Sequence, residues 1–412
     1  MRLLPNGRDR FSIFKKVQSA VRSGFVGVAC AAVVLQPLTA DFAMAQSITV
    51  DPTAPRANRA GITRSSTGKP TINIVAPNSG VSLNRYKTLS TNSGAIFNNS
   101  STGGTTKTGG TVKGNANLKT AGTAKVIVNE VRGTARSTVK GSLEVFGAKA
   151  DVIIANQNGI TCDGCSFVNT GRATLSTGSV AVSGSNVNLN VKKGVVTVGR
   201  GGMAGADAAQ LAGRHVIIDG KVVARSSITA SGGAQRFDAR TGRSYAAPSD
   251  KARNAPYAVD ATSFGSLQAG SIRVIGNESG LGVRLDGRMI AGSDAVVSSR
   301  GDVAVRNVTA KRNIYIGSSG SAQQTKGVIS AGGNITVSAR RFATSPGAQL
   351  VAGGVVTIKT NDTLTVGGEI RAKQINVTTA NSTLNVGRVI AAQELTIVAG
   401  DITNRRAVTQ TN

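Results

Sequence analysis

Between Ile314 and Ile397 the apolar positions fall into short alternating runs that return at a near-constant interval. Ile314-Tyr-Ile316, Ile335-Thr-Val337, Val356-Thr-Ile358, Ile375-Asn-Val377 and Leu395-Thr-Ile397 begin 21, 21, 19 and 20 residues apart. Alternation with period 2 marks a strand with one buried face. Eight or nine residues before the last four runs stands a glycine (Gly327, Gly347, Gly367, Gly387), each followed by a second short apolar step such as Val389-Ile390-Ala391. Gly287 holds the same phase further upstream, and Asn307 fills the position between, a residue type that tolerates the positive φ otherwise left to glycine. The cadence extends toward the N-terminus, where Gly220-Lys-Val-Val-Ala224 leads to Ser227-Ile-Thr-Ala230, and Gly141-Ser-Leu-Glu-Val145 to Asp151-Val-Ile-Ile154.

A repeat of about 20 residues with two or three short strands buries its apolar face only by stacking on its neighbours. The fold expected is therefore all-β, a right-handed parallel β-helix (β-solenoid) with about 20 residues per coil. A β-sandwich would not require a fixed glycine phase over five repeats. After the leader the chain has room for about 18 coils, a stack of roughly 85 Å at 4.8 Å per coil. Two segments depart from the cadence. Residues 46–70, with Pro52 and Pro55, read as an irregular N-terminal lead-in or cap. Residues 231–265, with Arg236, Arg240, Arg243, Lys251 and Arg253, read as a basic insertion that leaves the solenoid.

Composition supports strands and turns. Glycine accounts for 51 of 412 residues, tryptophan is absent, and the only glutamates are Glu130, Glu144, Glu278, Glu369 and Glu394. A helical or doubly wound protein of this size would carry far more Glu, Leu and Lys. Residues 1–45 form an extended signal peptide. A basic region precedes an apolar run from Gly24 to Leu35, and Ala43-Met44-Ala45 marks cleavage between Ala45 and Gln46. The apolar run is too short to cross a bilayer about 30 Å thick. Without residues 1–45 the chain carries a net charge of +24. That excess favours anionic partners such as lipopolysaccharide or acidic surface glycans. Nucleic acid is not expected, because the aromatics that stack bases are scarce.

Cys30 lies in the leader, which leaves Cys162 and Cys165 in Thr161-Cys-Asp-Gly-Cys-Ser166. In an exported chain the pair is expected to be oxidised, with a stabilisation of about 2 kcal/mol at most for so small a loop. Structural zinc needs four ligands and His215 is the only histidine, so a metal would need acidic ligands or a second chain. A catalytic redox role would need a thioredoxin-like βαβ context. Neither metal nor cofactor is expected. Polysaccharide hydrolysis is the enzymatic rival, since it needs paired carboxylates. The nearest pair at coil spacing, Asp219 and Asp238, sits in a turn and in the insertion. His215 opens a strand and reads as structural. No catalytic residues are assigned and no enzyme is expected.

Residues 72–177 resemble the secretion domain of two-partner secretion exoproteins of the filamentous haemagglutinin and haemolysin type. The blocks that carry the resemblance are Asn73-Ile-Val-Ala-Pro-Asn-Ser-Gly-Val-Ser-Leu-Asn84-Arg-Tyr86, Ile96-Phe-Asn-Asn-Ser100, Asn115-Ala-Asn117-Leu118 and Asp151-Val-Ile-Ile-Ala-Asn156-Gln-Asn158-Gly159-Ile160 through Cys165. The family usually has Asn-Pro-Asn at the last two sites, and Ala116 and Gln157 replace both prolines here. The resemblance implies a secretion domain over residues 71–300, followed by haemagglutinin-like repeats over 301–412. It implies recognition by an outer-membrane transporter, a 16-stranded barrel with periplasmic recognition domains. Asn115, Asn117, Leu118, Asn156, Asn158, Gly159 and Ile160 are the residues it assigns to recognition, or else to coil corners. It also implies secretion to the cell surface as an adhesin, with a haemolysin or the N-terminal part of a contact-dependent inhibition toxin as alternatives. A self-transporting adhesin is not expected, because the last 60 residues hold no aromatic girdle. The mature chain from the native host is expected to begin at Gln46 by mass spectrometry. A full-length cytosolic product would refute the export reading.

Overall fold

The computed structural model describes residues 47–248, 255–385, 387–404 and 408–411. The signal peptide and its cleavage position at Ala45 and Gln46 lie outside the described residues. The chain from residue 47 is a β-solenoid whose coils stack in parallel and turn through three faces. The five alternating runs read from sequence all fall on one face. Ala295, Ile314, Ile335, Val356, Ile375 and Leu395 are successive register partners up the stack. Ile314, Ile335, Val356 and Ile375 are each no more than 1% exposed, so one row of side chains forms a continuous interior.

This first face runs from Val81–Ser90 through Val126–Val131, Ala150–Asn156, Thr170–Ser176 and Ala208–Gly213 to Arg388–Val398. Thirteen strands stack along it among the described residues. That is fewer than the 18 expected, and the stack rises about 60 Å at strand spacing. The difference lies in chain that does not coil. Residues 47–73 are an ordered cap: Ser47–Val50 pairs antiparallel with Val81–Ser90, and Gly61–Arg64 pairs antiparallel with Pro70–Asn73. A second hairpin joins Gly104–Thr105 to Thr111–Val112, and the buried carboxylate of Glu144 accepts the N–H groups of Lys107 and Thr108 at 2.7 and 2.8 Å inside its loop.

Two further excursions leave the same corner of the solenoid. One is the hairpin Gly178–Ser183 and Asn186–Val191; the other holds Gln235–Asp238 and Ser244–Ala246. Together they make a four-stranded antiparallel sheet. Its inner side chains, Val187, Leu189 and Phe237, pack on the outer face of Val128, Ile153 and Ala155 and form a second core. This explains why Val152-Ile-Ile-Ala155 is apolar without alternation: the strand is buried on both faces. The basic insertion is narrower than 231–265. Ser231 and Gly232 belong to the solenoid strand Ser227–Gly232, and Tyr257–Ala261 is again a coil strand paired with His215–Ile218. Among the described residues, only 233–248 and 255–256 depart. The Gly178–Ser183 hairpin was not expected, although two alternating runs across Gly184-Ser185 are a hairpin signal. At residue 300 there is no break, for Gly282–Ala291 pairs directly with Val303–Ala310.

The glycine phase marks the corner before the third face, and its physical reason is crowding more than positive φ. A Cβ on Gly287 would lie 1.8 Å from the Gly265 carbonyl oxygen, and one on Gly387 2.0 Å from that of Gly368. Only Gly327 and Gly347 of the series have positive φ. Asn307 does not adopt positive φ, contrary to expectation; its Oδ1 accepts the Val328 N–H of the next coil at 3.2 Å. A similar ladder lines the corner before the first face. Asp294, Asn313 and Asn334 each accept the N–H of the residue one coil on, Asn313, Asn334 and Val355, at 2.9 to 3.1 Å.

Gly287→Ala is expected to lower stability by about 2 kcal/mol or more through backbone collision. Gly347→Ala should cost only about 1 kcal/mol, because its Cβ meets nothing and only the left-handed backbone is disfavoured. Urea denaturation of the two variants measures this, and the reverse order would refute the crowding account.

Candidate functional site

Asn115-Ala-Asn-Leu118 and Asn156-Gln-Asn-Gly159 fold into the same device. In the first, the Asn115 Oδ1 accepts the Asn117 N–H at 3.1 Å, and the Leu118 N–H donates to the Asn115 carbonyl at 3.1 Å. In the second, the Asn156 Oδ1 accepts the Asn158 N–H at 2.9 Å, and the Gly159 N–H donates to the Asn156 carbonyl at 3.0 Å. Each is a β-turn closed by an Asx turn, the local geometry that Asn favours.

Both leading asparagines are 1% exposed, and their amide nitrogens tie neighbouring segments together. Asn115 Nδ2 donates to the carbonyls of Ile74 and Asn98 at 2.9 and 3.0 Å. Asn156 Nδ2 donates to the Ala135 carbonyl and to Ser137 Oγ, both at 2.9 Å. The second asparagine of each turn adds one bond of the same kind: Asn117 Nδ2 to the Ile74 carbonyl at 3.0 Å, and Asn158 Nδ2 to the Gly133 carbonyl at 2.7 Å. Leu118 and Ile160 anchor the turns in the main core. Gly159 has φ +119°, and a Cβ there would meet the Arg136 guanidinium at 2.6 Å. Folding therefore brings these residues together in two sets, one at each turn.

Ala116 and Gln157 are exposed and occupy the second position of their turns. The hydrogen bonds of each turn use the N–H groups of the third and fourth residues, so a proline at the second would cost none of them. Its fixed φ suits that position. Asn115, with φ −82° and ψ 109°, already has the extended backbone that a following proline demands.

Other buried asparagines belong to the same network and carried no separate signal in the sequence. Asn99 donates to the carbonyls of Ala124 and Ala148 and accepts the Ala124 N–H. Asn84 accepts the Val75 N–H at 3.0 Å. Asn129 accepts the hydroxyl of Tyr86 at 3.0 Å; complete burial pushes the Tyr86 phenol well above its ordinary range.

Cys162 and Cys165 are joined by a disulfide. Both sulfurs face the core, and between them the strand Ile160–Val168 slips register against Ser137–Gly147 as it rounds a corner. The tight Asp163-Gly164 turn has Gly164 at φ +73°.

The carboxylates are engaged by backbone and arginine. Asp163 accepts the Gly201 N–H at 2.7 Å, Asp302 the Ser321 N–H at 2.8 Å, and Asp238 the N–H groups of Arg240 and Thr241 within its hairpin turn. Glu278 pairs with buried Arg214 at 2.8 Å and accepts the Ala234 N–H, holding the start of the second excursion. Asp151 pairs with Arg172 at 3.0 Å, and Arg172 also donates to the Ala239 carbonyl; burial nevertheless raises the Asp151 carboxyl above its ordinary value. His215 Nδ1 lies 2.9 Å from the Tyr257 carbonyl, a bond between adjacent coils. Among the described residues no group of three or more His, Cys, Asp or Glu side chains is arranged to hold a metal.

A capped β-solenoid with paired Asx turns and an antiparallel side sheet has the architecture of an exoprotein secretion domain. The chain belongs to the TPS secretion domain family, which matches residues 46–305. It is 35% identical to filamentous hemagglutinin of Bordetella pertussis over 294 residues, 69% of this chain and 8% of that protein. It is 33% identical to the tRNA nuclease CdiA of Escherichia coli O6:K15:H31 over 369 residues, 78% of this chain and 11% of that protein. The chain thus spans about a tenth of the length of these relatives. The crystal structure of the filamentous hemagglutinin secretion domain superposes with a TM-score of 0.61 at 33% identity, covering 75% of this chain and all of that one. The domain is that of secreted, surface-exposed exoproteins.

Replacing Ala116 and Gln157 together by proline is expected to raise stability by about 0.5–1 kcal/mol per site, because the unfolded chain loses freedom while the turns lose nothing. Asn156→Ala should cost about 2 kcal/mol by orphaning buried partners. Thermal melts of the purified domain check both, and destabilisation by the prolines would refute the turn assignment.

Proposed function

We propose that this chain is the N-terminal secretion portion of a filamentous haemagglutinin-like surface exoprotein. It is recognised in the periplasm by the recognition domains of a 16-stranded outer-membrane barrel. The observation that carries this reading is the burial of Asn115 and Asn156 with their amides engaged. A folded domain presents neither side chain to a partner. Recognition at these residues therefore acts on the chain before its coils close, and the same side chains then lock the folded product outside. The segment itself is read as non-catalytic, since carboxylates such as Asp163, Asp238 and Asp302 serve turns and coil contacts.

Once outside, the basic solenoid acts as an adhesive surface for lipopolysaccharide or acidic glycans. The second reading, the N-terminal part of a contact-dependent toxin, is favoured by the CdiA match, which runs over 369 residues and so includes coils beyond the secretion domain. In that case the toxic activity belongs to other parts of the protein.

Secretion through the cognate transporter tests the recognition reading. Asn115→Ala, Asn156→Ala and Asn158→Ala are expected to reduce export more than Asn99→Ala, an equally buried asparagine outside the two turns, when all are compared at matched stability. Export that follows stability alone, with Asn99→Ala on the same line, would leave the turns as coil corners only.

A further inference from the structure

Beyond the side sheet, no other described strand covers the outer surface of the first face, and the aromatic side chain of Tyr315 lies on it. Tyr315 is 41% exposed and stands in an outward row between Val296 and Thr336. Its neighbour Gly317 is the reason the ring lies flat. A Cβ there would fall 2.8 Å from Tyr315 Cε1 and 2.9 Å from its hydroxyl oxygen, so any larger residue would lift the ring from the sheet. Gly317 is in turn flanked in register by Ser298 and Ser338. Tyr315, both serines, Ser319 and Arg300 line one shallow groove of about 290 Å³.

The rim of this groove is cationic. Arg300 is exposed and has no ion-pair partner among the described residues. The corner continues upward through the Ser319 N–H to the Ser299 carbonyl at 3.0 Å and the Arg340 N–H to the Gly320 carbonyl at 2.9 Å. That places Arg340, also exposed and without an ion pair, two coils above Arg300, about 10 Å away at strand spacing. The nearby carboxylates of Asp302 and Asp362 are held by the Ser321 N–H and by Asn381 Nδ2.

We propose that this groove binds an acidic polysaccharide lying along the solenoid axis. Three features match that class together. The flat tyrosine offers its face to the apolar C–H side of a sugar ring. The serine hydroxyls meet sugar hydroxyls, and the two arginines meet sulfate or carboxylate groups on alternate sugars. A sugar chain advances per residue by a distance close to one strand spacing, so successive rings fall on successive coils. This inference rests on the reading of the basic solenoid as a glycan-binding surface and gives it a site.

The test measures binding of the purified protein to dextran sulfate, to unsulfated dextran and to a heparin octasaccharide at low and physiological salt. Tyr315→Ala is expected to weaken octasaccharide binding roughly tenfold, about 1.4 kcal/mol, with Tyr315→Phe retaining it and thermal melts unchanged. Arg300→Gln/Arg340→Gln should weaken binding more than Arg288→Gln/Arg306→Gln, which removes equal charge elsewhere. No binding of dextran sulfate even at low salt would overturn the glycan reading as a whole. Binding insensitive to Tyr315→Ala, with both arginine pairs equivalent, would overturn this site and leave diffuse charge as the cause. Equal binding of unsulfated dextran would overturn the acidic class.

Discussion

The constraint on which the rest depends is that a coil of about twenty residues has no core of its own. Each strand leaves a row of N–H and C=O groups and a row of apolar side chains that only the next coil can satisfy. Circumference and register must therefore hold constant from coil to coil. The corners are where this is enforced. Glycine is required where backbones approach too closely for a Cβ, as at Gly287 and Gly387. Asparagine or aspartate is used where a corner N–H needs an acceptor, as along Asp294, Asn313 and Asn334.

That constraint explains what could be read in advance. A fixed circumference imposes a fixed period, so the alternating runs at Ile314, Ile335, Val356 and Ile375 named the true register partners in the core. Periodicity is a local property, and it was legible. The chemical reason for the glycine phase was not, because positive φ and close approach both select glycine; Asn307 shows the difference, since it acts through its side chain. The side sheet was half legible. The basic excursion breaks the cadence, whereas Gly178–Ser183 and Asn186–Val191 alternate like coil strands. Only their antiparallel pairing on a second core sets them apart.

The candidate site divides in the same way. The identities of Asn115, Asn156 and their neighbours came from resemblance, and no local rule distinguishes them from Asn99 or Asn84. What the fold adds is their depth and their partners. Replacement of the two customary prolines by Ala116 and Gln157 changes little in the folded state, because both positions are exposed and the work of each turn is done by the asparagine before it. Proline in those places stiffens an unfolded chain; asparagine closes the folded one.

A final consequence concerns the order of assembly. In the repeats, the corner side chains of Asp294, Asn313 and Asn334 each bind a residue 19 to 21 positions away on the next coil. One closed coil thus suffices to place the next. The Asn156 turn has the same reach, to Ala135 and Ser137, but the segment around Asn99 and Asn115 differs in kind. Asn115 needs the carbonyls of both Ile74 and Asn98 in place, 41 and 17 residues distant, and Asn99 bridges Ala124 and Ala148, 25 and 49 residues further on. The entropy of the longer loop adds only about 0.6 kcal/mol per doubling of length, so reach is not the obstacle. The obstacle is simultaneity: two further segments must be fixed before Asn115 or Asn99 is satisfied, and until then each buried amide is a cost. The geometry therefore predicts cooperative closure around Asn99 and Asn115 and coil-by-coil propagation through the repeats above.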